Sequence, residues 1–226
     1  MKRGKKYRES IKKFTPENTY ELGEAVGIVK SVAFAKFDET VDLSVKLNLK
    51  KSQSVRDTVV LPNQFRAEKR VLVFCKPEKE KEAQDAGASF VGADDLIEKV
   101  KGGWTDFDIA VATPDMMKDV GKLGMVLGRK GLMPNPKTGT VTFDLKSALA
   151  ELKKGRTEFR ADKTGVVHLA VGKVSMESEK VAENVKTVIT EIKRKRPADA
   201  KGEFILSISV ASTMGPGVWV AFKELD

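Results

Sequence analysis

Arg70-Val71-Leu72-Val73-Phe74-Cys75 is apolar at every position after the arginine. Side chains of a strand point alternately to its two faces, so this run has no polar side and reads as a strand buried on both. Outward from it the chain keeps one rhythm. A charged helix reads over Glu78 to Ala86 and stops at Gly87. A short strand follows at Ser89-Phe90-Val91, then a helix over Asp94 to Val100. A second buried strand reads at Asp108-Ile109-Ala110-Val111-Ala112, with another helix after Pro114. Strands alternating with helices predict a parallel sheet covered by helices. This block is read as residues 68–159.

The flanks are written differently. Val41, Leu43, Val45, Leu47 and Leu49 alternate with Asp42, Ser44, Lys46 and Asn48, which predicts a strand with one face in a core and one open to water or a ligand. A second strand reads over Asp57 to Leu61, ending at Pro62. A helix reads from about Thr19, with Leu22, Ala25, Val26, Val29 and Val32 on one stripe. Beyond the block, Val166 to Val171 reads as a strand. Glu177 to Lys195 reads as a helix, acidic in its first turn, basic in its last and stopped by Pro197. Two alternating runs, Phe204 to Val210 and Val218 to Phe222, complete the set. Neither flank holds enough elements to bury a core alone. Together they offer two helices and about five strands. The expectation is an α+β split first domain, residues 1–67 and 160–226, interrupted by an inserted α/β second domain, with two connections between them acting as a hinge.

Charge follows the same division. The chain has 226 residues, with 41 Lys and Arg against 32 Asp and Glu, a formal net charge of +9. Residues 68–159 hold 16 basic and 15 acidic side chains, so nearly all the excess lies on the split domain. A basic surface predicts a polyanionic partner, driven by counterion release. The single cysteine, Cys75, sits in the buried run and reads as a small hydrophobe rather than a nucleophile; one cysteine forms no internal disulfide and fits a reducing compartment. No apolar run approaches the roughly 18 residues of a membrane span, and the basic start Met1-Lys2-Arg3-Gly4-Lys5-Lys6 leads into no apolar segment, so neither a membrane nor a secretory signal is expected. The first dozen residues read as a basic tail.

Three features carry candidate chemistry. Ser212-Thr213-Met214-Gly215-Pro216-Gly217 joins the last two strands and combines hydroxyls, a flexible thioether and glycines that let another backbone come near. The stretch from Gly121 to Thr140 exposes Arg129, Lys130 and Lys137, either to a phosphate backbone or to solvent. Its segment Gly131 to Thr138 misses the phosphate-loop pattern because Pro136 stands where the second glycine belongs and removes an N–H that the cradle uses. His168 is the only histidine; without cysteine or carboxylate partners at ligand spacing it reads as a strand residue able to hydrogen-bond a nucleic-acid backbone, and no metal or cofactor is expected. Phe37 reads equally as a core aromatic or as a platform for sugar or base beside Lys36. With few aromatics and no paired stacking motif, recognition of a folded RNA's shape fits better than splayed single strands.

Several of these stretches together bring a resemblance. Lys36-Phe37-Asp38-Glu39-Thr40-Val41-Asp42-Leu43, Gly103-Trp104-Thr105-Asp106-Phe107-Asp108, Ala112-Thr113-Pro114-Asp115-Met116-Met117, Gly131-Leu132-Met133-Pro134-Asn135-Pro136-Lys137-Thr138-Gly139-Thr140, Lys201-Gly202 and Ser212-Thr213-Met214-Gly215-Pro216 resemble, in order and spacing over nearly the whole chain, the L-one family of ribosomal proteins of the bacterial large subunit. The resemblance implies a Rossmann-like inserted domain and a non-enzymatic function. It implies binding of a folded region of large-subunit rRNA, forming the mobile stalk near the tRNA exit site, and repression of the protein's own operon mRNA. The partners implied are that rRNA, that mRNA and, transiently, tRNA; the place is the cytoplasmic ribosome, with the protein a monomer within it. Carried onto matching positions, the RNA contacts are Lys36, Phe37, Thr40, Lys46, His168, Lys173, Ser212, Thr213, Met214 and Gly215, with Gly217 permitting close approach; Arg129, Lys130 and Lys137 form a secondary contact. Two stretches depart from the family pattern, Asn63-Gln64-Phe65-Arg66-Ala67-Glu68 after Pro62, and Gly128-Arg129-Lys130-Gly131, which lacks the usual proline. The alternative from another class is a nucleotide-binding α/β enzyme; a general basic RNA chaperone is a third.

Overall fold

The computed structural model describes residues 4–50, 54–65, 70–153, 155–197 and 202–222, apart from the side chains of Lys137 and Lys153. In chain order the elements are α1 (Lys5–Ile11), β1 (Thr19–Tyr20), α2 (Leu22–Val32), β2 (Thr40–Leu47), β3 (Arg56–Val60), β4 (Val71–Phe74) and α3 (Pro77–Asp85). Then come β5 (Phe90–Gly92), α4 (Asp94–Lys101), β6 (Ile109–Ala112), α5 (Met117–Val120), α6 (Gly124–Arg129), α7 (Leu145–Lys153) and β7 (Arg156–Arg160). The chain closes with β8 (Val166–Lys173), α8 (Ser178–Arg194), β9 (Ile205–Ser212) and β10 (Gly217–Val220). It forms two compact units, Met1–Phe65 with Glu158–Asp226, and Arg66–Thr157.

The first unit is built on a five-stranded sheet in the order β1-β10-β9-β2-β8. All its pairings are antiparallel except β1 with β10. Strand β2 is central, and its alternation becomes geometry: Val41, Leu43, Val45 and Leu47 are buried while Thr40, Asp42, Ser44 and Lys46 lie on the opposite, partly exposed face. The buried face meets the apolar stripes of α2 (Leu22, Ala25, Val26, Val29) and α8 (Val181, Val185, Val188, Ile189, Ile192) in one core. Each fully buried Val or Leu there contributes about 1.5–3 kcal/mol relative to exposure. The helices cover one face only, so the polar face stays open.

Several sequence expectations shift. The helix expected from Thr19 begins at Leu22, because Thr19 and Tyr20 pair with Trp219 and Val220. The basic tail carries α1, whose buried Ser10 hydroxyl lies 3.0 Å from the carbonyls of both Lys6 and Val32. Strand β7 pairs with β3, and Phe159, read as the end of the inserted block, is 1% exposed in the core of the first unit. Helix α7 had no counterpart in the sequence reading.

In the second unit the apolar run Val71–Phe74 becomes β4, the middle of a three-stranded parallel sheet β5-β4-β6. Leu72 and Phe74 enter one core with Leu96, Val100 and Phe107; Val71, Val73 and Cys75 enter another with Ala83, Leu145 and Leu149. Both faces are covered, as a continuous apolar strand requires. Cys75 is fully buried, and burial, helped by nearby Glu80, pushes its thiol up to about 11, so it stays protonated and inert near neutral pH.

One buried polar side chain anchors the start of the unusual 63–68 loop. Asn184 of α8 donates to the Asn63 carbonyl (2.9 Å) and the Val171 carbonyl (2.8 Å), and its Oδ1 accepts the Asn63 N–H (3.0 Å). Residues 66–68 of that loop lie outside the described residues. Replacing Asn184 by Ala orphans three backbone groups. Equilibrium urea unfolding should show a loss of about 1–3 kcal/mol or more; an unchanged midpoint would mean water replaces the amide without penalty.

Candidate nucleic-acid interface

Most of the predicted contact residues gather at one end of the sheet, where β2 begins, β8 ends and the β9–β10 turn closes. Thr40 is paired with Lys173 across one side of β2, and Val41 with Ser212 across the other. Thr213 is locked to Thr40: its N–H donates to the Thr40 carbonyl (3.0 Å), its hydroxyl donates to the same carbonyl (3.2 Å), and its Oγ1 accepts the Thr40 N–H (2.9 Å). A hydroxyl has one proton and two lone pairs. Thr213 therefore keeps one lone pair and no donor.

Around this pair the corner presents apolar and basic groups. Phe37 is 57% exposed and Met214 52% exposed. Phe37 is therefore not a core aromatic. Lys36 is exposed. The Lys173 ammonium donates to the Asp38 carbonyl (3.2 Å), and both carboxylate oxygens of Asp38 hold Ser175, one taking its N–H (3.1 Å) and one its hydroxyl (2.8 Å).

The carboxylate that assembles the corner is Glu39, 1% exposed. One oxygen accepts the N–H groups of Phe34 (3.0 Å) and Ala35 (2.7 Å); the other accepts that of Met214 (3.0 Å). Burial alone would raise its pKa, but the Ala35, Met214 and Phe34 N–H groups outweigh burial and hold it below the ordinary value.

Two expectations at the turn are corrected. Ser212 does not offer its hydroxyl to a partner: it is 3% exposed, and its Oγ is buried without a hydrogen bond of normal geometry. Strand alternation puts it on the core side because it ends β9. The need for glycine at 215 is also internal, since a Cβ there would stand 2.4 Å from Ser212 Oγ. Gly217, by contrast, has open space where its Cβ would be.

The remaining residues lie farther off. His168 is exposed on the polar face, its Nδ1 3.0 Å from Ser44 Oγ. Lys46 sits at the other end of β2, about 20 Å from Thr40 along the strand. Its ammonium donates to the Thr164 carbonyl in a turn tied by Asp162 Oδ1, which accepts the N–H groups of Thr164 and Val166 and the Thr164 hydroxyl. The Val166 N–H, then the Thr164 hydroxyl, keep the Asp162 carboxyl below its ordinary value. Arg129 and Lys130 belong to the second unit, exposed at the end of α6, with the Lys130 ammonium on the Thr105 hydroxyl. The Lys137 side chain lies outside the described residues. Sequence reasoning missed Asp38, Glu39 and the Asp162 turn as supports. An acidic pair directly before a strand was their only local signal, and its partners are 137 and 175 residues away.

The first unit thus presents an open, polar sheet face bounded by a hydrogen-bonded corner. The family model of the ribosomal protein L1p/L10e family matches residues 29–216, and the chain belongs to that family. It is a structural protein and not an enzyme. It is 67% identical to large ribosomal subunit protein uL1 of Treponema denticola over 99% of both chains. It is 61% identical to uL1 of Treponema pallidum, again over 99% of both, and 58% identical to uL1 of Borrelia hermsii over 98% of this chain and 99% of that one.

Two outcomes follow from the corner. A group with a lowered folded pKa stabilises fully above its unfolded value, here near 4.5, and loses that contribution as pH falls through the folded value. Glu39→Gln, which sets an NH2 against one of the N–H donors, should be destabilised by about 1–3 kcal/mol at neutral pH and show a shallower acid limb in thermal melts; parallel pH profiles would remove Glu39 from its assigned place. Gly215→Ala should lower the melting midpoint, Ser212→Ala should leave it nearly unchanged, and the double variant should recover most of the loss. Additive effects would mean that Ser212 Oγ is not what the methyl meets.

Proposed function

We propose that this protein is a constituent of the cytoplasmic large ribosomal subunit, and that its open sheet face and Thr213–Met214 corner bind a folded region of large-subunit rRNA. The names of the uL1 relatives support the assembly, and the geometry of the corner supports the binding. In this reading the first unit, residues 1–65 and 158–226, acts as one α+β RNA-binding domain. The second unit, residues 66–157, is an inserted Rossmann-like domain, supported by a parallel sheet covered on both faces. That domain serves as a lever of the mobile stalk near the tRNA exit site, with Arg129, Lys130 and Lys137 as a secondary contact. The protein remains a monomer in the ribosome, meets exit-site tRNA transiently, and represses its own operon mRNA through a similar RNA element.

The observation that carries the reading is the spent hydrogen-bonding capacity of Thr213. With its proton and one lone pair committed to Thr40, it can accept a hydrogen bond but not give one. Phosphate oxygens only accept; a ribose 2′-OH donates. A ribose 2′-OH, which DNA lacks, is the donor this reading assigns to the corner. Phe37 and Met214 pack on sugars beside it and keep water from that bond, while Lys36 and Lys173 neutralise phosphates. Thr40 contributes as the backbone that locks Thr213, and Ser212 and Gly215 as internal supports. A shape fixed in advance spends little ordering entropy on binding.

Filter binding with large-subunit rRNA tests this. Affinity should fall by about 0.7–0.9 log units per log of salt for each phosphate neutralised. Thr213→Val, which deletes the acceptor, and Met214→Ala should each weaken specific binding by about tenfold, leave the salt slope unchanged, and keep a folded circular-dichroism spectrum. Replacing the ribose by deoxyribose throughout the RNA should cost the wild type more than Thr213→Val. Normal binding by both variants would put the interface on another face.

A further inference from the structure

The polar face carries a large aromatic side chain outside the corner. Trp219 is 43% exposed. Its strand neighbours Val218 and Val220 are buried in the core with α2, so alternation turns the indole to the open face. The registers set it in a single row across all five strands: Thr19 of β1, Trp219 of β10, Ser209 of β9, Ser44 of β2 and His168 of β8. Its cross-strand neighbours are thus a threonine and a serine, and two residues along its own strand lies Gly217. None of these is large enough to cover an indole. Trp219 has no aromatic or cation–π contact among the described residues, unlike Trp104 of the second unit, which packs edge-on to Phe90 (4.9 Å) and against Phe107 (5.6 Å).

We propose that Trp219 is a stacking subsite for one unpaired nucleobase of the RNA bound at the corner. The inference rests on the RNA-binding reading and extends it. Strands are about 4.8 Å apart and residues about 3.3 Å along them, which places Trp219 about 7 Å from the Gly217–Ala211 rung at the corner and about 14 Å from His168. These are spans of one to three nucleotides, so a chain held at Thr213 reaches the indole without leaving the face. The hydroxyl row of Ser209 and Ser44 leads on toward His168 and Lys46, continuous with the same surface. An indole has a π face for any base, so the subsite adds affinity with little choice of sequence, and it needs a base free of its helix. The RNA at this edge is therefore a loop, bulge or helix end, whereas the ribose-matched corner suits a folded stem.

The chain has two tryptophans, one in each unit, which makes the test direct. The probe is the fragment of large-subunit rRNA that the protein protects from nuclease. In Trp104→Phe protein, titration with this fragment should quench the remaining emission. Trp219→Thr, which keeps a good strand former, should bind about 5- to 150-fold more weakly, while Trp219→Phe recovers most of the affinity. Binding by the wild type with unquenched Trp219 emission, or with Trp219→Thr equal to the wild type, overturns the subsite and leaves the RNA reading intact. A wild type that protects no rRNA overturns both.

Discussion

Three segments meet at the corner of the first unit, and a buried carboxylate joins them. The turn after α2, the start of β2 and the β9–β10 connection converge on Glu39, whose two oxygens take an N–H group from each of Phe34, Ala35 and Met214. A buried carboxylate is tolerated only when such donors offset its lost hydration. The same bonds that keep Glu39 charged fix where Met214 stands and how the turn leads Thr213 onto Thr40. Exposed Phe37 and Met214 can then be large without being loose. Rigidity at the surface is thus derived from a charge beneath it.

The rest of the face inherits its order from β2. That strand pairs on both sides, so its alternation is imposed on β8 and β9 and, through β9, on β10. Side chains as unlike as His168, Ser44, Ser209 and Trp219 fall into register because backbone ladders leave them no other place. Function here depends less on any one residue than on a surface whose spacing is fixed by hydrogen bonds at strand intervals.

What could be read before the structure was what is local. The alternation from Val41 to Leu47 marked its strand and both its faces, and the unbroken run from Val71 to Cys75 marked a strand covered twice. The stripes of α2 and α8 followed from helical spacing. What escaped depends on distant partners. Thr19 and Tyr20 are too short to read as a strand and exist as β1 only because Trp219 and Val220 lie alongside. Ser212 and Thr213 look equivalent in sequence, yet one faces the core and the other solvent. Glu39 reads as a surface acid until Met214, 175 residues on, is seen to need it. The candidate contact residues came from resemblance, whereas which of them lie exposed at the corner and which are buried within it could not be read that way.

The pairing of Ser44 with His168, 124 positions later, and with Ser209 beyond it, also has a temporal side. During synthesis β2 emerges early and stays without either neighbour while more than a hundred further residues are added. The parallel sheet of the second unit draws only on residues 66–157 and can close in the meantime. Ladders between such distant segments form slowly, after the entropy of a long loop has been overcome. The nascent chain therefore matures from its middle outward, and its open sheet face is the last thing to take shape.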